Sequence, residues 1–154
     1  MIFAFVVRHL RWFAHIPLAP QVFDALLLTW TALFRRQTFA AIMEVEAFVR
    51  TLPGVSLCAH RFGGTGFACD GREFAHIHGN GLLDVRLFAE EARAAVASGR
   101  ANVHHVLGAS SWVSFWLRGA NDIPAALELL KQGNCAARQP AQDSNATKSR
   151  EFLR

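Results

Sequence analysis

Between Leu52 and Leu87 the chain is punctuated so often that its ordered segments have little choice but to be short strands. Leu52-Pro53-Gly54, Gly63-Gly64, Asp70-Gly71 and Gly79-Asn80-Gly81 interrupt it at close intervals, and each is a turn signal. The segments between them, 55–60, 66–70, 73–78 and 82–87, are rich in Val, Leu, Phe and other strand formers. Strands joined by tight turns pair antiparallel, because a parallel pairing needs a crossover of a dozen or more residues. A helix is predicted over 88–98 with Gly99 closing it. Strands at 103–107 and 112–117 follow, then a helix over 121–131 capped by Asn121 or Asp122, with Ile123, Leu127 and Leu130 facing inward. Ahead of the strands, Pro17 and Pro20 mark the start of a helix over 21–35, since proline is tolerated in a first helical turn. A second helix over 39–51 carries Ile42, Val45 and Val49 on one face. The order predicts an α+β fold: a largely antiparallel sheet of about six short strands with helices packed on one face, plus N-terminal helices.

A chain of 154 residues accommodates one such core with appendages. The expected division is an apolar and basic helical segment over 1–38, the α+β domain over 39–132, and a polar, disordered tail over 133–154. The net charge of +4 lies in the flanks: residues 37–132 hold eight bases against nine acids. A phosphate-binding domain more often carries its basic stripe on the folded body, so nucleic acid is not the expected partner. Cys58, Cys69 and Cys135 form no CxxC pattern and leave an odd thiol, which fits a reducing compartment and a cytoplasmic location. The run 22–34 is apolar apart from Asp24, Thr29 and Thr31, and is too short for a spanning helix. With Arg8, Arg11, Arg35 and Arg36 beside it, the segment 17–36 either packs on the domain or lies on an anionic membrane surface, at the inner face in a cytoplasmic protein.

The chemistry-bearing residues are histidines, seven in all. Strand alternation puts His76 and His78 on one face together with Phe74, while Glu73, Ala75 and Ile77 point the other way. His104 and His105 are adjacent, so one of the two shares that face. The pattern leaves three readings open: a transition-metal site built from His76, His78 and His105, a metal-free pocket in which a neutral imidazole removes a proton, or a structural pair. His9, His15 and His60 have no such company and are expected to be structural. Trp112, Phe115 and Trp116 are expected to be core residues, with an aromatic wall for a flat ligand as the functional alternative. No G-x-S-x-G, Walker loop or post-strand G-x-G-x-x-G is present, which disfavours serine-hydrolase, P-loop and Rossmann chemistry.

Several blocks match a known family together. They are Leu52-Pro53-Gly54-Val55, His60-Arg61-Phe62-Gly63-Gly64-Thr65, Arg72-Glu73-Phe74-Ala75-His76-Ile77-His78, Leu83-Asp84-Val85, His104-His105-Val106-Leu107 and Ser111-Trp112-Val113-Ser114-Phe115. They resemble the luciferase-like domain family, typified by fungal luciferase and shared by many short bacterial proteins, over roughly 40–131. The resemblance implies a pocket near His76, His78 and His105, and an oxidoreductase of the monooxygenase or luciferase type acting on a hydroxylated pyrone with O₂. It implies no required organic cofactor. His76 or His78 would deprotonate an enolic or phenolic substrate, and Arg61 or Arg72, with Phe74 and Trp112, would hold the small molecule. The family pattern would put an acidic residue after Thr65, where this chain has Gly66. The alternative is a non-catalytic binding or interaction module whose first helix docks on a membrane or partner.

Overall fold

The computed structural model describes residues 18–139. Two helices, α1 (Ala19–Phe34) and α2 (Arg36–Val49), precede four strands, β1 (Val55–Ala59), β2 (Thr65–Cys69), β3 (Arg72–Ile77) and β4 (Leu82–Arg86). Helix α3 (Ala89–Ala97) leads to β5 (Asn102–His104) and β6 (Gly108–Trp116). A 3-10 turn (Ala120–Asp122) opens α4 (Ile123–Arg138). The sheet order is β1-β2-β3-β4-β6-β5, and every neighbouring pair is antiparallel. The architecture is therefore α+β, as the spacing of turns predicts.

One face of the sheet carries the core. Phe67, Phe74, Ala75, Ile77, Leu83, Val85 and Val113 meet Ile42, Val45 and Val49 of α2, Ala92 and Ala95 of α3, and Leu129 and Leu130 of α4. Each large side chain buried there contributes roughly 1.5–3 kcal/mol. Gly133 lets α4 sit close: a Cβ there would come within 2.6 Å of Val85 Cγ1 and 3.1 Å of Phe74 Cδ2. α1 packs beside the turn after β3, with Leu28 against the margin of the core. Its Asp24 accepts hydrogen bonds from the Gly79 N–H at 3.0 and 3.2 Å. A Cβ on Gly79 would stand 2.5 Å from the Leu28 nitrogen, so only glycine admits this approach. Among the described residues no helix is long and apolar enough to cross a membrane.

Several boundaries differ from expectation. α4 runs to Arg138, so residues 133–138, expected in the tail, are helical; residues 140–154 lie outside the described residues, as do His9 and His15. Asp122 stands at the start of α4 without capping it, because its Oδ2 is taken by the Arg118 N–H at 2.7 Å. β5 stops at His104 and β6 begins at Gly108, which leaves His105, Val106 and Leu107 in a turn.

Candidate functional site

The sheet face opposite the core is paved with ionisable groups. Asp84 and Ser114 pair across β4 and β6, and His76 pairs with Asp84 across β3 and β4. Because neighbours on one strand alternate faces, Leu83 and Val85 enter the core while Asp84 faces the histidines. Asp84 is fully buried and accepts a short hydrogen bond from the Ser114 hydroxyl at Oδ1. Its Oδ2 lies 3.2 Å from His76 Nε2, 3.6 Å from His105 Nδ1 and 3.7 Å from His104 Nε2. No contact to Oδ2 has the angle of a hydrogen bond.

His76 reaches a second carboxylate. Its Nδ1 lies 2.8 Å from Glu73 Oε1, and His60 Nδ1 lies 2.7 Å from the same oxygen, without hydrogen-bond geometry. The His60 and His76 rings stack at 3.6 Å with 13° between their planes. Strict alternation would put Glu73 on the core face and Phe74 beside the histidines, and the structure reverses both. The register shifts between β2 and β3 so that Phe67 faces Ala75 and Ala68 faces Glu73, which leaves Phe74 as an extra residue. This bulge changes the parity of the strand. Phe74 becomes a core side chain, 1% exposed, and Glu73 joins the site. Gly66 makes that arrangement possible, since a Cβ there would stand 2.8 Å from Glu73 Oε2.

The charges follow from these contacts. Burial would push the His76 imidazole down, but the close Asp84 carboxylate and the hydrogen-bonded Glu73 outweigh it and raise it above the ordinary histidine value. With each ring nitrogen facing a carboxylate, the surroundings of His76 favour its imidazolium form. Burial pushes both carboxylates up, and their partners more than reverse this. Contacts with His60 and His76 bring Glu73 down to about 2. His105, His76 and Ser114 hold Asp84 well below the usual carboxylate range. His78 goes the other way from His76: burial depresses it, and the His76 charge adds to that against the opposing Asp24 contact. His78 Nδ1 lies 3.3 Å from Asp24 Oδ1. Burial also brings His104 down to about 4. Its Nδ1 accepts the backbone N–H groups of Val106 and Leu107 at 3.1 and 3.0 Å, so the neutral ring carries its hydrogen on Nε2.

The sequence-predicted residues therefore divide. His76, His78 and His105 belong to one cluster, and both His104 and His105 reach it, because the chain leaves the strand at His104 and alternation no longer separates them. Trp112 stands against it, 5.5 Å from the His76 ring and 6.1 Å from His104. Phe74 does not, for the reason given. Arg72 points to the end of α4, where Nη2 donates to the Ala137 carbonyl at 3.0 Å. Arg61 is exposed over the Phe62 ring, at the rim next to His60. The residues missed by sequence reasoning are His60, Glu73, Asp84, His104 and Asp24. His60 carried one signal, its place at the head of the His60-Arg61-Phe62-Gly63-Gly64-Thr65 block. Asp24 carried none, lying 54 residues from its partner His78.

Two trios among the described residues could hold a metal ion, His60 with His76 and His78, and His76 with Asp84 and His104. In the first, two stacked rings aim their lone pairs in parallel rather than at one point, and both Nδ1 atoms turn to Glu73. In the second, the 3.2 and 3.7 Å spacings from Asp84 suit an ion with bonds of about 2.1 Å. The hydrogen on His104 Nε2 would have to leave first.

Fold and site together define a small α+β domain with a buried histidine–carboxylate cluster on the sheet face away from its core. Residues 71–133 match the family model described as Luciferase domain. This segment, which holds His76, His78, Asp84, His104 and His105, is what the chain shares with that family. No curated protein and no solved structure matches the chain.

Proposed function

We propose that this domain is an oxidoreductase that takes a proton from an enolic or phenolic small molecule and exposes the electron-rich anion to O₂. The observation that carries the reading is His76, whose two ring nitrogens lie 2.8 and 3.2 Å from different carboxylates. Glu73, His76 and Asp84 form a continuous array from His60 to His105, whose side chain is the most open of the histidines around Asp84. The substrate O–H gives its proton to this array at the His105 and Trp112 end, where the carboxylates stabilise added positive charge. The electron pair at the enolate (or phenolate) carbon then forms a C–O bond with O₂ as the O–O π bond breaks, and the array returns the same proton to the distal oxygen, so that the product is a keto hydroperoxide. His76 acts as the positioning group between the carboxylates, not as the first base, because both of its ring nitrogens already face them. Arg61 at the rim is placed to meet an acidic substrate. The test is O₂ uptake with a panel of hydroxylated pyrones and phenols, comparing the parent chain with His105→Ala and Asp84→Asn. A fall of about 10²–10⁴ is expected for a lost proton acceptor. Equal rates in all three would sink the reading.

One observation favours a second reading. Asp84 Oδ2 is buried without a hydrogen bond while imidazole nitrogens stand around it, an arrangement that a divalent transition ion would satisfy. Elemental analysis of untagged protein separates the two: near-stoichiometric metal that disappears in Asp84→Asn supports the ion.

A further inference from the structure

Helix α1 packs on the domain through one face and leaves an apolar face open. Pro20, Asp24 and Thr31 are buried, and Leu28 packs against the core. On the other side Val22, Leu26, Trp30, Leu33 and Phe34 are each more than half exposed. Their spacing of three or four residues draws one stripe, about 17 Å long from Val22 to Leu33 at the helical rise. The Trp30 and Phe34 rings lie 4.1 Å apart and close its far end. Isolated apolar side chains on a surface need no explanation, but a continuous stripe of five does.

The end of the stripe is basic. Arg35, Arg36 and Arg118 line a hollow of about 430 Å³ together with Leu33 and Phe34. Asp122 is the nearby acid in the chain, and one of its oxygens is occupied by the Arg118 N–H. A ligand suited to this place has an anionic head within reach of guanidinium groups and an apolar body continuing along the helix.

We propose that the outward face of α1 and the arginine hollow at its end dock the chain on an anionic phospholipid surface. Phosphate head groups enter the hollow, where the planar guanidinium groups bond phosphate oxygens. Trp30, Leu26 and Val22 lie at the level where head groups meet acyl chains. Charge complementarity selects this occupant over a second copy of the chain, which would bring the same three arginines together across a twofold axis. The buried side of the helix reaches the cluster through Asp24, so the docked surface is one helix thickness from His78.

The test is co-sedimentation of the full chain with vesicles of phosphatidylcholine, with and without one third phosphatidylglycerol. Pelleting is expected with the anionic vesicles only, weakening as salt rises. Arg35→Glu with Arg36→Glu is expected to reduce the apparent affinity by at least about tenfold, each basic residue near such a surface being worth about fivefold. Leu26→Asp with Leu33→Asp is expected to abolish it. All four positions are exposed, so an unchanged far-ultraviolet spectrum and melting curve will show that the fold survives. Equal binding to neutral vesicles, or undiminished binding by either double variant, overturns the proposal. So does a dimer in light scattering that Leu26→Asp dissociates while vesicles bind nothing.

Discussion

The two faces of this sheet are made by the same strands and follow opposite rules. Toward α2 and α4, every side chain on the central strands is apolar and fully buried, and stability comes from area removed from water. On the other face Asp84, His76 and His104 are nearly as buried, yet three carboxylates, Asp24, Glu73 and Asp84, share the cluster with histidines. Burying charge costs several kcal/mol per ion unless partners repay it. On the function proposed above, the second face accepts groups that weaken a fold because they can hold or move a proton.

The largest effect should come from Asp84→Ala. It removes the carboxylate that His76, His104 and His105 surround, and is expected to cost about 3–5 kcal/mol in urea unfolding. Asp84→Leu sharpens the point. If an apolar side chain restores most of that stability while O₂ uptake stays lost, the face is kept for chemistry. Leu83→Ala, one residue away on the opposite face, should cost about 2–5 kcal/mol through its cavity and leave the activity per folded molecule intact. Loss of activity there, at full folding, would break the separation between the faces. Gly79→Ala should cost roughly 1–3 kcal/mol as α1 is pushed from Leu28 and Asp24. Its nuclear magnetic resonance signature is a changed His78 tautomer, because Asp24 moves with the helix.

The smallest effect is on pH, and its sign is specific to each group. His104, lowered to about 4, takes up a proton in the unfolded chain before the folded one, so stability falls as pH drops from about 6.5 towards 4. Glu73, lowered to about 2, adds stability present above its unfolded value near 4.5 and lost as pH falls from there towards 2. His76 is raised, so its share is fully present below about 6.5 and is lost as pH rises through its folded value. Urea midpoints across the pH range check the order, and Glu73→Gln should remove the most acidic part of the fall. If His104→Asn leaves the pH profile from 7 to 4 unchanged, His104 is exposed to water and the second face is not buried as described.

Much of the scaffold was legible locally. Turn signals at Pro53-Gly54, Asp70-Gly71 and Gly79-Asn80-Gly81 cut the strands where they are cut, because a turn's chemistry is set by the residues within it. The spacing of His76 and His78 likewise placed both on one face, since two residues apart on a strand always share one. Parity failed at Phe74, where the pairing with β2 inserts a bulge that no property of β3 alone reveals. It ceased to apply after His104, where the strand gives way to a turn. The sequence by itself thus determined the class of fold, the succession of strands and helices along the chain, and the presence of a histidine pair. Only the tertiary structure decided that His60 stacks on His76, that Glu73 replaces Phe74, and that Asp24 crosses 54 residues to reach His78. Those contacts depend on register and helix docking, which are settled by the competition for one shared core rather than by any local run of residues.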